Sequence, residues 1–161
     1  MNLKKTFGTL ALALLAGLSG CASTPAPTNL AETLQAQPRL STFNRLVAQA
    51  GLSDSLRAAG PLTVFAPSDE AFKALPAKTL EELAKNNEQL KAVLNFHLIA
   101  AKLPSAEIQN GNLKTLNGAS VALSRAGTFV TIEDAVVQQA DIGATNGVAH
   151  VIDRVLTPPK K

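Results

Sequence analysis

The spacing of apolar residues changes character near Pro104, and that change restricts the chain to few architectures. Before it, apolar residues recur at helical spacing. After it, they come in short β-branched runs separated by turn residues. Leu40, Phe43, Leu46, Val47 and Ala50 fall on one helical face, and Gly51 follows as a C-terminal stop. "LAETLQAQ", opened by Asn29 and ended by Pro38, reads as a short helix, as does "SDSLRAAG", opened by Ser53 or Asp54 and closed by Gly60. "LTVFA" (62–66) is rich in strand formers and turns directly into the helix "PSDEAFKAL". There Ser68 is a natural N-cap, and Asp69 and Glu70 stand where the helix dipole favours negative charge. "TLEELAKNNEQLKAVLNFHLI" holds two helical stretches broken at Asn86-Asn87 and runs into a strand near His97. Past Pro104, "LKTLNGASVALS" is a hairpin turning at Asn117-Gly118, and "TFVTIEDAVVQQADI" gives two strands around Glu133-Asp134. "VAHVIDRVL" is the last strand before Pro158-Pro159. Helices crowd the first half and strands the second, which is an α+β arrangement rather than an alternating α/β one.

The two ends of the chain read differently. Lys4 and Lys5 precede "FGTLALALLAGLSG", an apolar run shorter than the ~20 residues of a spanning helix, so residues 1–20 read as a signal peptide. The run ends in "LSGC", which resembles the bacterial lipobox, and Cys21 is the only cysteine in the chain. That resemblance implies a diacylglycerol thioether on Cys21, cleavage before it and acylation of the new amine. Several acyl chains at ~0.8 kcal/mol per buried CH₂ make a lasting membrane anchor. Ala22 rather than Asp follows the cysteine, which by resemblance to Gram-negative sorting favours the outer membrane, with the domain facing the periplasm or the surface. Residues 21–28 then form the lipidated cysteine and a flexible, Pro-containing tether. Residues 29–159 form one domain, and 160–161 are a basic tail. Without Lys4 and Lys5 the 15 basic residues fall to 13 against 12 acidic ones, so no basic field remains for nucleic acid. A single cysteine allows no disulfide within the chain, and the domain must hold together by its core alone.

Only two histidines are present, His97 and His150. His150 lies three residues before Asp153, half of a catalytic triad by composition. In a strand, side chains alternate faces, so His150 shares a face with Val148 and Ile152 while Asp153 points the other way. A triad drawing Asp69 or Asp141 from elsewhere, with Ser68 as nucleophile, lacks a G-x-S-x-G elbow, and Ser68 is already explained as a cap. Metal ligation needs three or four ligands, and neither histidine has H-x-x-x-H or H-E-x-x-H context. No catalytic residue, metal or cofactor is therefore expected. Each histidine is read as a hydrogen-bonded structural residue in a largely apolar strand, and His150 as neutral down to mildly acidic pH. Asp69 is the first candidate partner for one of the two imidazoles.

Three segments resemble one family. "LTVFAPSDEAF", with Ser68, Asp69 and Phe72, resembles the first signature block of fasciclin (FAS1) domains. "NGVAHVIDRVL", with His150 and Asp153, resembles the second, and "LNFHLI" resembles the Tyr-His segment between them. The resemblance covers roughly residues 29–159. It implies a wedge-shaped β-sandwich of about seven strands with several short helices packed along it. It also implies adhesion or protein–protein binding without catalysis or cofactor. Asp141-Ile142 matches an Asp-Ile pair tied to receptor binding in animal members. Phe96-His97 matches the Tyr-His segment without its hydroxyl, and Ala149 is smaller than the usual Val or Ile. The functional expectation is a lipid-anchored, non-enzymatic envelope domain binding an envelope or extracellular protein. The alternatives are a small-molecule or polysaccharide binder and a hydrolase using Ser68 with a histidine. The chain has neither Trp nor Tyr, which argues against sugar stacking.

Overall fold

The computed structural model describes residues 28–159. The segments expected to be a signal peptide and a tether, with Cys21, and residues 160–161 lie outside the described residues. Six α-helices occupy the first part: α1 (Leu30–Gln35), α2 (Ser41–Gln49), α3 (Ser53–Arg57), α4 (Asp69–Lys73), α5 (Ala77–Lys85) and α6 (Asn87–Phe96). The strands are β1 (Leu62–Pro67), β2 (Leu98–Ile99), β3 (Gly111–Lys114), β4 (Ser120–Ala126), β5 (Phe129–Ile132), β6 (Ala135–Ala144) and β7 (Gly147–Ile152).

The helix punctuation follows the polar residues. Asn29 caps α1 by accepting from the Glu32 N–H, and Asn86 caps α6 through the Gln89 N–H, so the Asn86-Asn87 break is a cap between two helices. Gly51, at φ +71°, stops α2. Pro38 follows the end of α1 and opens a single 3-10 turn that leads into α2. Two readings are corrected here. Neither Ser53 nor Asp54 caps α3. The cap position belongs to Leu52 and has no side-chain bond, while Asp54 pairs with Arg57 at 3.4 Å. His97 is not a strand residue but the C-cap of α6, because the chain turns into β2 one residue later.

The seven strands form one order, β2-β1-β7-β6-β5-β4-β3. All neighbours are antiparallel except β1 and β7, the second and third strands of the order, which run parallel from Leu62↔Gly147 to Pro67↔Ile152. Both of these strands are buried at every residue, which is why they read as largely apolar runs, interrupted only by Thr63 and His150. Their alternation sorts side chains into two cores. Val64 and Ala66 with Ala149 and Val151 face the helices, against Leu34, Phe43, Leu46, Phe72 and Leu94. Phe65 and Ile152 face the other way and meet Val121, Leu123, Val130 and Ile132 from β4 and β5, so the order curls back over itself as a seven-stranded sandwich. Gly147 is required at the junction: a Cβ there would sit 1.9 Å from the Leu62 carbonyl oxygen. β6 is irregular, with register shifts between Val137 and Gln139 and between Gln139 and Ile142.

Candidate functional site

The first signature block is a junction. The Ser68 backbone N–H donates to the Ile152 carbonyl (3.0 Å), tying the end of β1 to β7. Its side chain accepts from the Ala71 N–H at 3.3 Å and caps α4, as the sequence indicated. Asp69 reaches sideways to accept from the Thr42 N–H (2.7 Å) and the Ser41 hydroxyl (2.8 Å). Helix α2 has no cap of its own, and Asp69 supplies the missing acceptor from another element. Partial burial raises the Asp69 pKa, but these bonds outweigh it and hold the carboxyl below its ordinary value. Asp69 therefore serves neither imidazole, contrary to the sequence reading. A carboxylate beside an unfilled helix N-terminus is satisfied there at little cost. Phe72, on the buried face of α4, completes the junction in the helix-side core.

Both histidines cross-link backbone. His97 is 1% exposed, its Nδ1 lies 2.8 Å from the Val93 carbonyl, and its Nε2 accepts from the Leu156 N–H at 3.0 Å. The proton is thus on Nδ1. Burial pushes its pKa down to about 4, against a smaller raising effect from the Val93 bond. His150 has the opposite tautomer: Nδ1 accepts from the Asp141 N–H (3.2 Å) and Nε2 donates to the Leu103 carbonyl (2.9 Å). Its ring stacks on Phe65 with centroids 5.2 Å apart. Burial lowers its pKa, opposed by the Leu103 bond and by the Asp141 charge. Asp153 is elsewhere, accepting from the Val136 N–H at 2.7 Å and donating its own N–H to the Val136 carbonyl at 3.1 Å. The two residues form no dyad, in agreement with strand parity.

Asp141 sits at the irregularity of β6 with φ +59°, a conformation costly for a non-glycine residue. Its carboxylate accepts from the Ser105 N–H at 2.6 Å and from the Ser105 hydroxyl. Partial burial raises its pKa, and the Ser105 bonds with the Arg125 charge nearby outweigh this and lower it. Asp141 is therefore joined to His150 through its backbone and to Ser105 through its side chain. Ile142 is half-buried against the helix-side core. Phe96 is buried in the second core beside the α6 end that holds His97. Of the four candidate binding residues, Asp141 is exposed, Ile142 is partly so, and Phe96 and His97 are enclosed.

Two organising side chains escaped the sequence reading. Asn146 accepts from the Leu30 N–H (2.8 Å) and donates to the carbonyls of Leu56 (2.8 Å) and Ala58 (2.9 Å), so one turn residue clamps the start of α1 to the C-terminal end of α3. Thr63 donates to the Ala101 carbonyl (2.6 Å) and accepts from the Leu103 N–H (3.0 Å). The available signal was a threonine inside the apolar run "LTVFA". A groove of about 620 Å³ opens between α4 and the segment after β7, lined by Leu75, Phe96 and Leu156 and by Glu133, Asp153 and Arg154. Among the described residues, no group of three His, Cys, Asp or Glu side chains is placed to hold a metal ion.

The profile of the Fasciclin domain matches residues 38–158. Protein sll1483 of Synechocystis sp. is 37% identical over 140 residues, covering 86% of this chain and 78% of that protein. Immunogenic protein MPB70 of Mycobacterium bovis is 35% identical over 127 residues, 76% of this chain and 65% of that one. Transforming growth factor-beta-induced protein ig-h3 of Sus scrofa is 37% identical over 137 residues, and this chain spans only 20% of its length. Among solved structures, a FAS1 domain pair from the insect cell adhesion molecule Fasciclin I shares the fold at a TM-score of 0.63 and 24% identity, over 75% of this chain and 46% of that one. With both signature blocks built into the β1–β7 junction and the profile spanning nearly all the described residues, this chain belongs to the fasciclin domain family.

Proposed function

We propose that the chain is a non-enzymatic FAS1 domain, anchored in the cell envelope by lipid on Cys21, that mediates adhesion or protein–protein binding. The outer membrane of a Gram-negative cell is the proposed site. One observation carries the non-enzymatic reading: the two histidines, Ser68 and Asp69, from which a catalytic site could be drawn, are each engaged in holding backbone. Both imidazoles have both nitrogens bonded, three of those four bonds being to buried or half-buried main chain around Val93, Leu103 and Leu156. Ser68 and Asp69 serve helix N-termini, and no histidine reaches either. A structural relative is a cell adhesion molecule, which supports the binding role.

The test compares cells lacking the chain with cells complemented by the native sequence or by Cys21→Ser. Native protein restores attachment to cells or matrix and partitions with membranes. Cys21→Ser is released or unprocessed and does not restore attachment. Equal attachment with and without the chain refutes the adhesive role, and membrane partitioning of Cys21→Ser refutes the anchor. The groove at Phe96 and Leu156 supports a second reading, a receptor for a small ligand with an apolar body. Its test is a thermal shift against a panel of such ligands.

A further inference from the structure

The groove between α4 and the segment after β7 has an apolar floor and a charged rim, supplied by different elements. Leu75 just after α4, Phe96 at the end of α6, and Leu156 give the floor. At about 620 Å³ the groove is large enough for a small organic molecule. The rim carries Glu133 and Asp134 from the β5–β6 turn, and Asp153 and Arg154 just past β7. Three carboxylates against one guanidinium leave an excess of negative charge there. Two of the carboxylates are fixed in place. Glu133, at φ +50°, accepts from the Ala122 N–H at 2.7 Å, and Asp153 accepts from the Val136 N–H at 2.7 Å. Each uses one oxygen for this, and the second has no hydrogen-bond partner among the described residues. Among those residues Arg154 forms no ion pair with any of the three.

The geometry points to a small ligand that joins an apolar body to an ammonium group, the body lying on Leu75, Phe96 and Leu156 and the ammonium meeting the carboxylates of Glu133, Asp134 and Asp153. This inference rests on the second reading above, that the groove receives a small ligand. The position of the charge sets the chemistry. A cation sunk among apolar side chains would lose its hydration without return. At the rim it keeps part of its water and gains charge-assisted bonds to the free carboxylate oxygens. An anionic ligand of the same shape meets those carboxylates as repulsion, with Arg154 alone to offset them. A metal ion is a poor match, because among the described residues no three such groups converge closely enough to hold one. An ammonium donates its N–H bonds in separate directions and needs no such cage.

The test exploits the composition of the chain. With neither Trp nor Tyr, its own emission does not mask that of a naphthalene ring. Naphthylmethylammonium, naphthylmethanol and naphthoate share one apolar body and differ in charge. Each is titrated by fluorescence at neutral pH against the full chain as isolated from cells, held in phosphatidylcholine nanodiscs, with empty discs as the blank. The ammonium binds most tightly and the carboxylate least. Glu133→Gln together with Asp134→Asn, both at exposed positions, weakens the ammonium about threefold to tenfold and leaves the alcohol unchanged. Arg154→Gln tightens the ammonium about twofold, a gain that damage to the fold does not produce. Ala74→Phe, at the exposed C-cap of α4, blocks all three probes. Should that variant not fold by circular dichroism, the charge variants decide. Equal affinity for ammonium and alcohol, or an ammonium preference that survives the neutralised rim, overturns the inference while leaving the groove a receptor. Binding that survives in folded Ala74→Phe puts the probes elsewhere and overturns it too. No binding of any of the three removes the receptor reading and this inference together.

Discussion

Acid should weaken this fold before Asp69 and Asp141 withdraw their contributions, and His97 is the cause. Protonating its free nitrogen would set a second N–H against the Leu156 N–H inside the core. The folded pKa is about 4 against an ordinary 6.5. Because the folded value is depressed, the unfolded chain binds the proton first as pH falls. The contribution of the neutral imidazole is complete above about pH 6.5, is lost progressively down to about pH 4, and changes no further below it. At roughly 1.4 kcal/mol per pH unit the gap amounts to about 3 kcal/mol. A domain of this size has about 5–15 kcal/mol in total, so the loss is a large share. His150, also depressed, adds in the same direction. Asp69 and Asp141, lowered from 3.8, withdraw their contributions only below that value, so the two effects separate along the pH axis. Lacking Trp and Tyr, the protein is best followed by far-ultraviolet circular dichroism in urea at pH 7, 5.5 and 4. In His97→Gln the dependence between pH 7 and 4 should shrink to the part due to His150. Should that variant not fold, an NMR titration of native His97 gives the same answer. Equal stability at pH 7 and pH 4, or a native His97 titrating near 6.5, would refute the argument.

Three further outcomes are expected. Ser68→Ala should cost ~1 kcal/mol through loss of a cap, and Phe72→Ala ~3–5 kcal/mol through a core cavity; equal and negligible shifts in urea midpoint would contradict the junction described for α4. Asp69→Ala should cost about 1–2 kcal/mol and speed hydrogen exchange at Thr42, since α2 loses its acceptor from another element; unchanged exchange there would speak against the assignment. His150→Ala should lower the melting temperature and leave partner binding intact in the folded fraction, whereas a fully stable variant that loses binding would show His150 to be a ligand.

Where local pattern decides structure, the sequence was readable. Period-two alternation alone separated His150 from Asp153, and the two cores divide along that parity, with Ala149 and Val151 on one side and Ile152 on the other. Ser68 was identifiable because a cap depends on its immediate neighbours. The imidazole partners were not readable. His150 bonds to Leu103, far along the chain, and to Asp141 at an irregularity in β6 that needs a left-handed residue no local rule anticipates. Asp69 looked available for a histidine because nothing near it in sequence reveals that α2 lacks its own cap. Asn146 read as a turn residue, and its three bonds to distant main chain became visible only once the start of α1 and the end of α3 were packed around it.

The parallel pairing of β1 with β7 has a consequence for how the chain is made. β1 ends at Pro67, yet its parallel neighbour β7 ends at Ile152, so neither core can close until almost the whole domain has left the ribosome. Contacts between such distant segments form slowly, and the finished helices meanwhile have no sheet to cover. A product truncated before Gly147 would leave β1 and β6 as unpaired edges carrying apolar side chains, which is a template for aggregation rather than a smaller domain. The same delay keeps the nascent polypeptide open for longer, a useful property in any chain that must be threaded through a narrow passage before it folds.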